Sequence, residues 1–94
     1  MVLFRAPIQT VVLDRGPDGL GFSIVGGFGS PHGNLPIYIK TVFDRGAAAQ
    51  SGVLKRGDQI VEVNGKNLSG VSHKEAVSVL KQVTGRVELK VISR

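Results

Sequence analysis

Cysteine and tryptophan are absent from this 94-residue chain, and methionine and tyrosine each occur once. Without cysteine there is no disulfide framework, no thiolate zinc site and no thiol nucleophile. The same absence is compatible with a reducing compartment. No apolar run approaches the roughly 18–20 residues that a membrane-spanning helix needs, and no segment reads as a secretory leader, so the expectation is a soluble domain. Acidic residues are also scarce, 7 Asp+Glu against 12 Lys+Arg, for a formal net charge of +5. The few aromatics do not recur in the pattern of a base-stacking platform, so no nucleic acid is expected as a partner. The length allows one domain and excludes large barrels and doubly wound nucleotide folds.

Glycine is what the chain has in excess: 13 of 94 residues, about twice the usual share of roughly 7%. Such an excess without a repeat points to many tight turns, or to backbone that must closely approach something. The first seven residues show no period and read as a lead-in, with residues 8–94 forming the single domain. Thr10-Val11-Val12-Leu13 is a strand, stopped by the turn-rich stretch Asp14 to Gly19. Phe22 to Val25 is a second strand, and Phe28 to Pro36, with its glycines and prolines, reads as a long loop. Ile37 to Val42 is a third strand, with Ile37, Ile39 and Thr41 on one face and Tyr38, Lys40 and Val42 on the other. Gly46 to Ser51, rich in alanine and closed by Gly52, fits a short helix. Gln59 to Val63 is a fourth strand, ended by the turn Asn64-Gly65. In the last strand Val87, Leu89 and Val91 alternate with Arg86, Glu88 and Lys90.

The strongest helix spans Ser72 to Val83. Ser72 with Glu75 three residues on matches a capping box, and Gly85 lies just past the end. Ala76, Val79 and Val83 form one apolar stripe, while His73, Val77 and Leu80 form a second about 100° around the helix. The second stripe either widens the core face or lines a groove. Catalysis has little to stand on: neither His32 nor His73 accompanies a nucleophile motif, and two histidines without cysteine make no metal centre. No metal, cofactor or catalytic residue is expected.

The block Gly19-Leu20-Gly21-Phe22-Ser23-Ile24-Val25-Gly26-Gly27 resembles the carboxylate-binding loop and second strand of PDZ domains. Ile37-Tyr38-Ile39-Lys40, Gly46-Ala47-Ala48, Leu54 to Ile60, Val63-Asn64-Gly65 and Ser72 to Val77 follow in the family's order. The resemblance covers residues 8 to 93 and is closest to one domain of a multi-PDZ scaffold. It implies a β-rich α+β fold, a partly opened antiparallel barrel or sandwich of five or six strands with two helices. It also implies a non-catalytic adaptor that binds free C-termini by strand addition between the second strand and the Ser72–Val83 helix.

The residues can be assigned roles on that reading. Gly19 and Gly21 let the N–H groups of Leu20, Gly21 and Phe22 converge as an anion nest, and Arg15 is placed to help hold the carboxylate. Phe22, Ser23, Ile24 and Val25 would pair with the ligand main chain. Leu20, Phe22, Ile24, Val77 and Leu80 would form the pocket for an apolar last side chain. By resemblance, His73 reads the third residue from the ligand's end and implies Ser or Thr there, since a neutral imidazole nitrogen accepts a hydroxyl proton. Lys40 and Ser23 would flank the upstream ligand residues, unless Lys40 is simply a solvated charge. The implied partners are the tails of receptors, channels or junction proteins, met by a monomeric domain in the cytoplasm at the inner membrane face or cell junctions. The alternative is a basic domain that binds acidic phospholipid through Lys55, Arg56, Lys66, Lys74 or Lys81.

Overall fold

The computed structural model describes residues 8–16, 19–30 and 33–93. The lead-in assigned to the first seven residues therefore lies outside the described residues, as does His32.

β1 (Ile8–Asp14) buries Val11 and Leu13 and leaves Val12 exposed, the two-residue period of a strand with one wet face. It pairs along its whole length with β6 (Arg86–Ile92), from Ile8↔Ile92 to Asp14↔Arg86. In β6 the inward residues Val87, Leu89 and Val91 are fully buried, as their alternation predicts. β6 lies next to β4 (Gln59–Val63), β4 next to β3 (Gly33–Val42), and β3 next to β2 (Phe22–Ser30), all antiparallel. After β4 the chain turns at Asn64 and Gly65, both with positive φ (48° and 83°). That is the condition for a two-residue hairpin turn whose twist matches its strands. The turn brings Lys66 opposite Val63 and opens β5 (Lys66–Asn67), a two-residue strand that sequence patterning does not reveal.

Two helices cover the sheet. α1 (Ala47–Ser51) ends at Gly52, whose φ of 70° supplies a left-handed cap. α2 (His73–Gln82) begins where Ser72 Oγ accepts the N–H of Glu75 at 3.1 Å, the N-cap half of the expected box. Ala48 and Ala76, both with no exposed surface, belong to the same buried core as Ile37, Ile39, Ile60 and Leu89. Burying an aliphatic side chain of that size contributes about 1.5–3 kcal/mol, so this small core is what holds the sheet and helices together.

The sheet is not closed. Its order is β1-β6-β4-β3-β2, so β1 and β2 are the terminal strands, and the outer edge of β2 faces α2. The expected α+β architecture of five or six strands with two helices is thus observed, with six strands among the described residues.

Two sequence expectations are corrected. The loop read from Phe28 to Pro36 is mostly strand: β2 runs on to Ser30 and β3 begins at Gly33, with Ser30 opposite Gly33. Glycine and proline mask that hairpin, because they carry no apolar alternation and the pairing is bulged twice between Gly26 and Ser30. The faces of β3 also change partway. Ser23 pairs with Thr41 but Ile24 pairs with Ile39, leaving Lys40 as an extra residue. The bulge turns Thr41 outward and Val42 inward against the core, the reverse of strict alternation.

Candidate functional site

A cleft of about 410 Å³ lies between β2 and α2. Leu20, Phe22 and Ile24 line one wall, and Val77 and Leu80 line the other. The same five residues pack against the core on their inner sides. Of the two helical stripes, Ala76, Val79 and Val83 face the core while His73, Val77 and Leu80 face the cleft. The choice left open in the sequence is decided by where β2 lies.

One end of the cleft is the Gly19–Phe22 turn. Gly19 and Gly21 have φ of 88° and 85°, a region that side chains disfavour. Gly21 has a second reason to be glycine, because a Cβ there would stand 2.7 Å from the Cα of Gly46. Leu20 O accepts the N–H of Ala48 at 3.0 Å, and Gly21 O accepts that of Phe43 at 2.9 Å. In a trans peptide the C=O and the following N–H point in opposite directions. With both carbonyls turned toward α1 and Phe43, the N–H groups of Gly21 and Phe22 therefore turn toward the cleft. Such convergent donors form an anion-binding concavity.

Arg15 borders the same end. Its Nη1 donates to Lys81 O at 2.5 Å and to Val83 O at 2.6 Å, two carbonyls at the C-terminus of α2. Both hydrogens of Nη1 are engaged there. The residue singled out for a carboxylate is thus also the clasp that holds the end of α2, where a cation also suits the helix dipole.

His73 sits at the other end. Its Nδ1 is 3.1 Å from Gly26 O. A carbonyl only accepts, so Nδ1 carries the proton; in the neutral imidazole Nε2 then keeps its lone pair. Beyond this point β2 meets the segment that leads into the helix: Phe28 N–H donates to Val71 O at 2.9 Å. Gly26 O and Phe28 N–H thus face α2. Strand alternation then turns the backbone of Phe22 and Ile24 to the same open side, while Ser23 and Val25 face β3. Of the four residues assigned to strand addition, Phe22 and Ile24 therefore present free edge groups, and Ser23 and Val25 supply side chains.

The remaining sequence-derived residues are dispersed. Ser23 borders the cleft. Lys40, at its bulge, instead lies with Arg56, Tyr38 and Val25 around a separate hollow of about 700 Å³. Lys55, Arg56, Lys66, Lys74 and Lys81 are all exposed but are distributed over the turn before β4, β5 and two turns of α2. Among the described residues no cluster of His, Asp and Glu is placed to hold a metal ion. No helix among them is long and apolar enough to cross a membrane. Sequence reasoning missed Phe43 and Lys81 as cleft residues. Lys81 continues the Val77 side of α2 by one turn, a signal that helical spacing carries. Phe43 reaches the cleft only through the pairing of β3 with β2, which spacing along the chain does not show.

The chain is similar to known proteins in sequence and in fold. A family model described as PDZ domain matches residues 10–92. The chain is 68% identical over 85 residues to the Multiple PDZ domain protein of Rattus norvegicus and 65% identical to that of Homo sapiens. Each match covers 90% of this chain and 4% of the relative, so the chain spans a small fraction of their length. Disks large homolog 2 of Rattus norvegicus is 47% identical over 93 residues, covering 93% of this chain and 11% of that protein. Among solved structures, the crystal structure of Dlg1 PDZ2 from the choanoflagellate Monosiga brevicollis superposes with a TM-score of 0.87 at 34% identity. That match covers 94% of this chain and all of the other. A family match that runs from β1 through the last strand, over a cleft built as described, has one consequence: the chain belongs to the PDZ domain family.

Proposed function

We propose that this PDZ domain, a protein-interaction module, captures the free C-terminus of partner proteins without catalysing a reaction. The ligand adds as a strand to β2, its carboxylate on the N–H groups at Leu20–Phe22. Its last side chain, apolar, enters between Leu20, Phe22, Ile24, Val77 and Leu80. Arg15 contributes positive charge at the carboxylate, and Gly19 and Gly21 permit the turn. His73 Nε2 accepts from a Ser or Thr hydroxyl two residues upstream of the end, giving the pattern Ser/Thr-any-apolar. Ser23 and Lys40 flank the outward-facing ligand residues. The observation that carries the reading is the coincidence of a free β2 edge with a turn at its end whose glycines, Gly19 and Gly21, leave convergent N–H donors uncovered. A ligand of a few residues buries little and must be ordered, so affinity is expected on the order of micromolar.

The partners this chemistry fits are tails of receptors, channels or junction proteins, which would place the domain in the cytoplasm at the inner membrane face or cell junctions. A cluster of cations would favour acidic phospholipid instead. The four lysines and one arginine considered for that role belong to three separate elements, the turn before β4, β5 and α2, which favours the peptide.

Titration with a short peptide ending Glu-Thr-any-Val, as the free acid and as the amide, tests the proposal. The free acid should bind and the amide should lose at least tenfold, since a buried charge-assisted anion contact is worth about 1.5–3 kcal/mol. Equal binding of both, or binding of neither alongside salt-sensitive binding to phosphatidylserine vesicles, would overturn it.

A further inference from the structure

Phe43 is 52% exposed, at the rim of the cleft and immediately after β3. Its position is fixed by the chain around it. Phe43 N–H donates to Gly21 O at 2.9 Å, and Phe43 O accepts the N–H of Gly46, whose Cα is packed on Gly21. Across the strand pair it therefore stands opposite a residue with no side chain, and its ring is left uncovered on that side. Val42 before it points inward and Thr41 outward, so Phe43 falls on the outward face with Thr41 and, across the pair, Ser23.

The rest follows from alternation, and it rests on the C-terminal capture proposed above. A ligand strand on β2 that sends its last side chain into the pocket must send its penultimate side chain to the opposite face. On β2 that face carries Ser23, with Phe43 diagonally beyond it toward the carboxylate turn. We infer that Phe43, with Ser23 beside it, is a specificity residue for the penultimate ligand position, and that it selects a large apolar or aromatic side chain there. Three facts combine: the ring is exposed, its backbone is pinned to the carboxylate turn, and the strand position beside it is glycine. An aromatic next to a glycine is covered most fully by a large side chain from the next strand over, through diagonal cross-strand contact.

The test uses free-acid peptides ending Thr-Ala-Val, Thr-Trp-Val and Thr-Asp-Val, with dissociation constants measured on the unaltered chain, on Phe43→Ala and on Phe43→Trp. On the unaltered chain the tryptophan peptide should bind about five- to tenfold tighter than the alanine peptide, the gain expected from partial burial of two rings. Phe43→Ala should abolish that advantage by weakening the tryptophan peptide several-fold more than the alanine peptide, and Phe43→Trp should restore it. No discrimination on the unaltered chain overturns the inference without any variant. Equal weakening of all three peptides by Phe43→Ala also overturns it, because Phe43 would then only support the turn. If none of the free acids binds the unaltered chain, C-terminal capture fails and this inference fails with it. Binding without discrimination removes the role of Phe43 alone.

Discussion

His73 and Gly26 meet across the upstream end of the cleft, Nδ1 lying 3.1 Å from the glycine carbonyl. That contact does two things. It uses the β2 carbonyl that would otherwise extend the free edge, and it fixes the ring tautomer so that Nε2 is an acceptor. His73→Ala should therefore reduce the preference for Thr over Val at the third position from the ligand's end by about fivefold, the value of one hydrogen bond near 1 kcal/mol. Paired titrations with the two peptides measure it. A preference that survives the substitution would show that another group reads the hydroxyl.

Gly27 packs its backbone against the start of α2. A Cβ there would lie 2.3 Å from the backbone nitrogen of His73, at a φ of 108°. Gly27→Ala should destabilise the domain by about 2–3 kcal/mol, combining backbone strain with forced separation of strand and helix. Gly16→Ala, with nothing within 4 Å of the added methyl, should stay within about 0.5 kcal/mol. Thermal unfolding of the two variants decides it, and equal melting temperatures would refute the steric account.

Arg15 clasps the last turn of α2 through Lys81 O and Val83 O. Arg15→Lys keeps the charge but loses the fork that reaches two carbonyls at once. Amide exchange in the last turn of α2, at Leu80 to Gln82, should accelerate several-fold, while the centre of β6 is unaffected. Unchanged exchange at α2 would mean that the helix end is held by packing alone.

Asp58 is a polar residue within the core, 3% exposed, in the turn between α1 and β4. Its Oδ2 accepts the N–H of Lys55 at 3.0 Å, its own N–H donates to Lys55 O, and its carbonyl accepts from Ile39. Asp58→Ala strands the Lys55 N–H and should cost about 2 kcal/mol, whereas Asp58→Asn keeps an acceptor oxygen and should cost less than half as much. Denaturant midpoints of the two variants give the comparison. Equal losses would show that charge rather than the acceptor matters.

Much of this protein is legible before any coordinates. Strands with clean alternation, such as Val87-Leu89-Val91, and a helix with a cap signal, Ser72 with Glu75, declare themselves because local chemistry and burial point the same way. The glycine turn at Gly19 and Gly21 is equally visible, since positive φ is written into the residue type. Glycine-rich strand ends are not visible in this way, and the hairpin from Gly26 to Pro36 reads as a loop for that reason.

What the tertiary structure alone decides is which residues share a face and what each side chain is left to bind. The bulge at Lys40 reverses β3, sending Val42 inward and Phe43 to the rim of the cleft, although nothing in the local sequence marks an extra residue there. Arg15, identifiable as a cation near an anion turn, acquires its contact with α2 only because β1 and α2 end side by side. The second stripe of α2 lines a cleft as well as packing on the core, because β2 is a terminal strand. Residue type and spacing determine local conformation, whereas strand order and register arise from burying all the apolar faces at once, a condition that no single segment contains.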